Sequence, residues 1–138
     1  MAYLEWSDKY LTGYKPIDDD HRMLFSLVNG VYDAVLEGED EIDVENAIDK
    51  LVEYVDVHFA REEKLLEETG YPDLESHKIA HEKLRRRVVG YRVSYIRDPI
   101  RFEFDEFLKF MTGWLSGHIM KEDMAYLLHL AGKLDIED

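Results

Sequence analysis

The sequence contains no cysteine, which excludes disulfides, thiolate metal sites, iron–sulfur clusters and cysteine nucleophiles in one step. Any metal must therefore sit among nitrogen and oxygen ligands. Basic residues are scarce: 17 Lys and Arg stand against 31 Asp and Glu, for a formal charge of -14. So acidic a chain repels phosphate backbones, and its one basic cluster, Arg85-Arg86-Arg87, is too short and isolated to make a nucleic-acid footprint. Long apolar runs are missing too. None approaches the ~20 residues of a membrane helix, and the opening stretch Met1 to Trp6 lacks a basic segment followed by an apolar one. The expectation is a cytoplasmic protein with neither a nucleic acid nor a membrane as partner.

The 138 residues, 46% of them hydrophobic, make one ordinary domain. Strand-like alternation is weak, and four stretches carry apolar residues at helical spacing. The first runs from near Asp18 to before Gly38, with the stripe His21, Leu24, Phe25, Val28, Val31, Tyr32, Val35. Three aspartates at Asp18 to Asp20 suit the positive end of a helix dipole. An acidic loop from Glu39 to Asp43 leads to the second stripe, Ala47, Ile48, Leu51, Val55, His58, Glu62, Leu65, Leu66, which Gly70 and Pro72 stop.

The third runs from about Leu74 to Ile96 through His77, His81, Leu84, Val88, Tyr91 and Tyr95, and Asp98-Pro99 is read as its end and the opening of the next helix. The fourth stripe is Phe104, Phe107, Leu108, Met111, Trp114, Leu115, His118. Met124, Leu127, Leu128 and Leu130 suggest a short closing helix. Residues 1–17 lack a sustained helical period, and their Tyr3, Trp6, Tyr10 and Tyr14 read as an aromatic arm packed across the rest. The predicted architecture is all-α: an antiparallel up-down-up-down four-helix bundle over about 18–123, an N-terminal arm over 1–17, and a short C-terminal helix and tail over about 124–138.

Polar residues on the inward stripes carry the chemistry. His21, His58, Glu62, His77, His81 and His118 stand where a purely structural bundle would have Leu or Val. Residues four apart on a helix differ by about 40°, so His58 projects with Glu62, and His77 with His81. Burying several imidazoles and a carboxylate without partners would cost several kcal/mol, whereas one bound cation satisfies them together. Asp123 follows His118 by five residues, about 140° around an ideal helix. Sharing a site would require the helix to end, or to take a π-type turn, between Gly117 and Asp123.

The ordered motifs DxxH, HxxxE, HxxxH and HxxxxD, here Asp18 to His21, His58 to Glu62, His77 to His81 and His118 to Asp123, resemble the hemerythrin family. The strings His58-Phe59-Ala60-Arg61-Glu62-Glu63, Gly70-Tyr71-Pro72 and Trp114-Leu115-Ser116-Gly117-His118-Ile119 are similar to bacterial members. The resemblance spans essentially the whole chain. It implies two non-haem iron ions bridged by Glu62, Asp123 and an oxo or hydroxo group, with His77, His81 and His118 on one iron and His21 and His58 on the other. The second iron then keeps an open position for dioxygen, which is bound and released unchanged. The ligand types alone also admit zinc or manganese.

Trp114, Phe25, Phe59, Leu115 and Ile119 are expected to wall this pocket against water, although ordinary core packing accounts for them equally. His129 has no acidic or histidine partner at ligand spacing and reads as a surface or packing residue, and Glu63, about 100° from Glu62, reads as solvated or as lying behind the ligands. The family pattern is broken in two places. Asp20 stands where bacterial members commonly have Gln, which bears on the hydrogen bonds behind the ligands. Leu84 replaces an aromatic often found three residues after HxxxH, which bears on gas access or on the lifetime of the oxygenated form.

The function expected is reversible dioxygen binding for storage, delivery or transport. The rivals are an oxygen or redox sensor acting through a protein partner, and a di-iron oxidase, peroxidase or iron-storage enzyme. Bundles of the enzymatic kind favour Glu and ExxH pairs, and five histidines with two acids weigh against them.

Overall fold

A computed structural model describes residues 3–118 and His129. Four helices account for most of them: α1 (Lys15–Leu36), α2 (Glu41–Glu68), α3 (Leu74–Arg97) and α4 (Phe104–Gly117). The connections span only residues 37–40, 69–73 and 98–103, so successive helices turn back on one another in the up-down-up-down bundle. α1 packs on α2, α2 on α3, and α4 returns to α1. Among the described residues, no helix is long and apolar enough to cross a membrane. Asp123 and the stretch read as a closing helix, apart from His129, lie outside the described residues.

Local chemistry fixes the helix ends. α1 begins at Lys15, ahead of the start expected at Asp18, because Pro16 lies in its first turn with its φ already set for a helix. Asp18 then has a different task. Its Oδ1 accepts from the Thr12 backbone N–H and hydroxyl, each at 2.8 Å, and its Oδ2 accepts from Gly13 N–H at 3.1 Å, tying the arm to α1. α2 begins at Glu41, inside the stretch read as loop, because the Asp40 side chain accepts from Asp43 N–H and caps it. Pro99 does not open α4. It sits in the turn before it, and the helix begins at Phe104.

α1 and α2 stop in the same way. Glu39 N–H reaches Ala34 O and Gly38 N–H reaches Val35 O, while Tyr71 N–H reaches Leu66 O and Gly70 N–H reaches Glu67 O. These paired bonds wrap the last turn around a left-handed residue, Gly38 at φ 70° or Gly70 at φ 71°.

The apolar stripes meet in two clusters. The larger takes Leu24, Phe25, Val28 and Val31 from α1, Ile48, Leu51, Val55 and Phe59 from α2, Leu84, Val88 and Tyr95 from α3, and Phe107, Met111 and Leu115 from α4. The smaller, Ile17, Leu65 and Leu66, is covered by Tyr14, Tyr71 and Leu74. The arm lies on α1: Asn29 holds Leu4 by two hydrogen bonds, and Trp6 and Tyr10 set their rings against Phe25.

Candidate metal centre

Between the two apolar clusters lies a layer of polar side chains with almost no exposure: His21 from α1, His58 and Glu62 from α2, His77 and His81 from α3, and His118 just past α4. His118 is the C-cap of α4 and keeps right-handed helical dihedrals, φ -59° and ψ -51°. Among the described residues, two groups of donor atoms converge, each within 4.8 Å: His21, His58, Glu62 and His118, and Glu62, His77, His81 and His118.

Glu62 stands at the centre of both. Its Oε2 lies 3.1 Å from His58 Nε2, while its Oε1 lies 3.1 Å from His81 Nε2, 3.6 Å from His118 Nε2, and in close contact with His77 Nε2. One carboxylate thus faces opposite groups with its two oxygens. Burial pushes its pKa up, but the imidazoles of His118 and His58 outweigh this and hold it well below the usual carboxylate range. His21 packs edge-on against His58, with ring centres 4.8 Å apart, which sets it on the Oε2 side.

The imidazoles are gripped from behind. His81 Nδ1 is 2.7 Å from Glu63 Oε2, and its ring lies flat on Phe59, 3.8 Å between centres and 7° between planes. Trp114 stacks on His118 at 4.8 Å, and Leu115 is fully buried beside them. Phe25 is turned to the arm aromatics, and Ile119 lies outside the described residues.

Asp20 supports His58. Its Oδ2 is 3.2 Å from His58 Nδ1 and 2.9 Å from Arg61 Nε, and its Oδ1 accepts from the Tyr54 hydroxyl at 2.8 Å. Burial raises the Asp20 pKa, but the hydrogen bonds from His58 and Tyr54 and the charges of His58 and Arg61 bring it below its ordinary value. Burial and the same carboxylate push the Tyr54 phenol up to about 12. Sequence reasoning passed over Tyr54 and Arg61. A signal was present, since they lie four residues before and three after His58, on the same face of α2. His129 is elsewhere: its Nε2 is 3.2 Å from Thr69 Oγ1 and its ring packs on Tyr71.

Five imidazoles and a carboxylate, buried together with their donor atoms turned inward, fit a first-row divalent metal. Residues 12–130 match the family described as Hemerythrin HHE cation binding domain. The chain belongs to the hemerythrin family. It is 36% identical over 132 residues to a bacteriohemerythrin of Pseudomonas aeruginosa, an alignment covering 92% of this chain and 81% of that one. A bacteriohemerythrin of Clostridium acetobutylicum is 31% identical, with 88% and 97% covered, and a myohemerythrin of Theromyzon tessulatum is 26% identical, with 88% and 89% covered. A crystal structure of wild-type hemerythrin superposes with a TM-score of 0.84 at 27% identity, covering 94% of this chain and 99% of that one. The hemerythrin likeness therefore extends through the whole bundle.

Proposed function

We propose that this hemerythrin-family chain binds dioxygen reversibly at two iron ions, in oxygen storage, delivery or transport and not as an enzyme. The observation that carries the reading is the placement of Glu62 between two converging donor groups: His77 and His81 face Oε1, His58, with His21 beside it, faces Oε2, and His118 lies within reach of both groups, 3.6 Å from Oε1. The two metal positions would share Glu62 and, from outside the described residues, Asp123. With His118 given to the position of His77 and His81, as the hemerythrin pattern implies, the position served by His21 and His58 has one imidazole fewer, and a missing protein ligand is what leaves room for a small molecule.

Two ferrous ions would supply the electrons that dioxygen takes up on binding and returns on release. The chain's own residues do the rest. Phe59 and Trp114 hold the rings of His81 and His118 flat against them and, with Leu115, keep water from the layer of donors. Glu62 stays ionised in a buried site, so its two oxygens can serve both positions. Histidine in excess of carboxylate favours carriage over oxidase chemistry, whose bundles are richer in Glu.

The test is to load the metal-free chain with Fe(II) without air, admit and withdraw dioxygen repeatedly, and follow the visible spectrum and the iron content. A charge-transfer band that returns over successive cycles, at near two irons per chain, is the expected result. Rapid irreversible oxidation with peroxide turnover would replace carriage by an enzymatic function, and failure to take up iron would overturn both.

A further inference from the structure

Asp20 is 2% exposed and immediately precedes His21 on α1, yet its carboxylate is turned to the neighbouring helix. Tyr54, His58 and Arg61 line one face of α2, and all three point polar hydrogens at it. A carboxylate has no proton to give, so the His58 nitrogen that faces it must carry one. With the proton on Nδ1, the Nε2 lone pair is left to a metal on the side of Glu62 Oε2, 3.1 Å away, where a cation takes the place that a second proton would otherwise fill between the two groups. A carboxylate behind an imidazole also makes its far nitrogen a stronger donor. Glu63 stands behind His81 in the same way, but its side chain is 23% exposed and, among the described residues, no Tyr and Arg pair clamps it. Among the described residues, His58 is thus more firmly backed than His81, and it belongs to the position to which the proposal above gives fewer imidazoles.

Resting on the metal centre proposed above, we infer that Asp20 is a positioning residue: held by Tyr54 and Arg61, it locks His58 with its proton on Nδ1 and tightens the metal position served by His21 and His58. It compensates there for the absent third imidazole. A purely structural role, an ion pair joining α1 to α2, would affect folding without distinguishing the two positions.

The experiment uses zinc(II), which undergoes no redox change, titrated into the full metal-free chain against a chromophoric chelator. Nitrogen-15 NMR of the zinc-loaded chain reports the His58 tautomer, and thermal melting of the metal-free chain reports folding. The unaltered chain should bind two zinc ions with His58 protonated on Nδ1. Asp20→Asn should weaken one of the two by about 10- to 100-fold, leave the other unchanged, and alter the His58 nitrogen signals. Unchanged affinities, or equal weakening at both positions with a lowered melting temperature, would overturn the role of Asp20 while leaving the metal centre intact. An unaltered chain that binds fewer than two zinc ions would overturn both. Should Asp20→Asn fail to fold, Tyr54→Phe decides instead: it removes one clamp and should weaken the same position by about 10-fold, and an unchanged affinity would sink the proposal.

Discussion

At the residue scale, position among neighbours separates histidines that look alike in the sequence. His58, His77, His81 and His118 all have Nε2 within 3.6 Å of Glu62, whereas His129 faces Thr69 and Tyr71. Glu62→Ala should lose the paired centre, lowering iron from near two per chain to one or less by elemental analysis. His129→Ala should leave the iron content unchanged. Equal losses in the two variants would refute this division of roles. Asp18 and Asp20 make a similar contrast: two residues apart on α1, one ties down the arm and the other reaches His58.

Element ends supply two expectations that do not depend on a metal. An added Cβ at Gly38 would meet nothing within 4 Å, so Gly38→Ala suffers only the strain of a left-handed backbone at φ 70°. A loss of about 1–2 kcal/mol in urea unfolding is expected; no loss would mean the turn relaxes to another conformation. Tyr95, 3% exposed, donates its hydroxyl to Glu41 O at 3.1 Å and pins the last turn of α3 to the first of α2. Burial, then the nearby acids Glu41, Glu45 and Asp40, raise its pKa above the ordinary 10.0. The folded chain thus favours the neutral phenol. Its contribution is complete below pH 10 and is lost as pH rises through the folded value. Tyr95→Phe should cost about 0.5–1.5 kcal/mol at neutral pH and show a shallower fall in melting temperature above pH 10 than the unaltered chain; parallel profiles would remove Tyr95 from this account.

For the whole molecule, the polar layer sits between two apolar clusters, so its geometry is maintained by packing above and below it. Without a cation, that layer keeps five imidazoles and Glu62 away from water, an arrangement that opposes stability. A ligand that binds only the folded state raises stability by mass action, about 2.7 kcal/mol at a free concentration one hundred times its dissociation constant. Zinc(II) should therefore raise the melting temperature by several degrees, and a chelator should reverse the rise. A melting temperature indifferent to metal would contradict a site formed by folding. The charge of -14 acts in the same direction, since an acidic surface draws divalent cations and repels anions.

Much of this was legible in the chain itself because helical periodicity is a local rule. A rotation of about 100° per residue puts His58 with Glu62 and His77 with His81, and places a polar residue on the inward stripe of every helix. Gly70 and Pro72 mark the stop of α2 for reasons equally local. What periodicity cannot supply is the angle of each helix about its own axis relative to its neighbours, or which face of a neighbour stands opposite. Only packing decided that Glu62 turns one oxygen to each histidine group, that Glu63 reaches His81, and that Asp20 supports His58, 38 residues away. Packing also diverted Asp18 to the arm and left Pro99 in a turn. The sequence by itself determined the four helices and the faces that carry the donors; the tertiary structure decided which donors meet, because contacts between helices depend on the burial of whole apolar faces and not on spacing along any one of them.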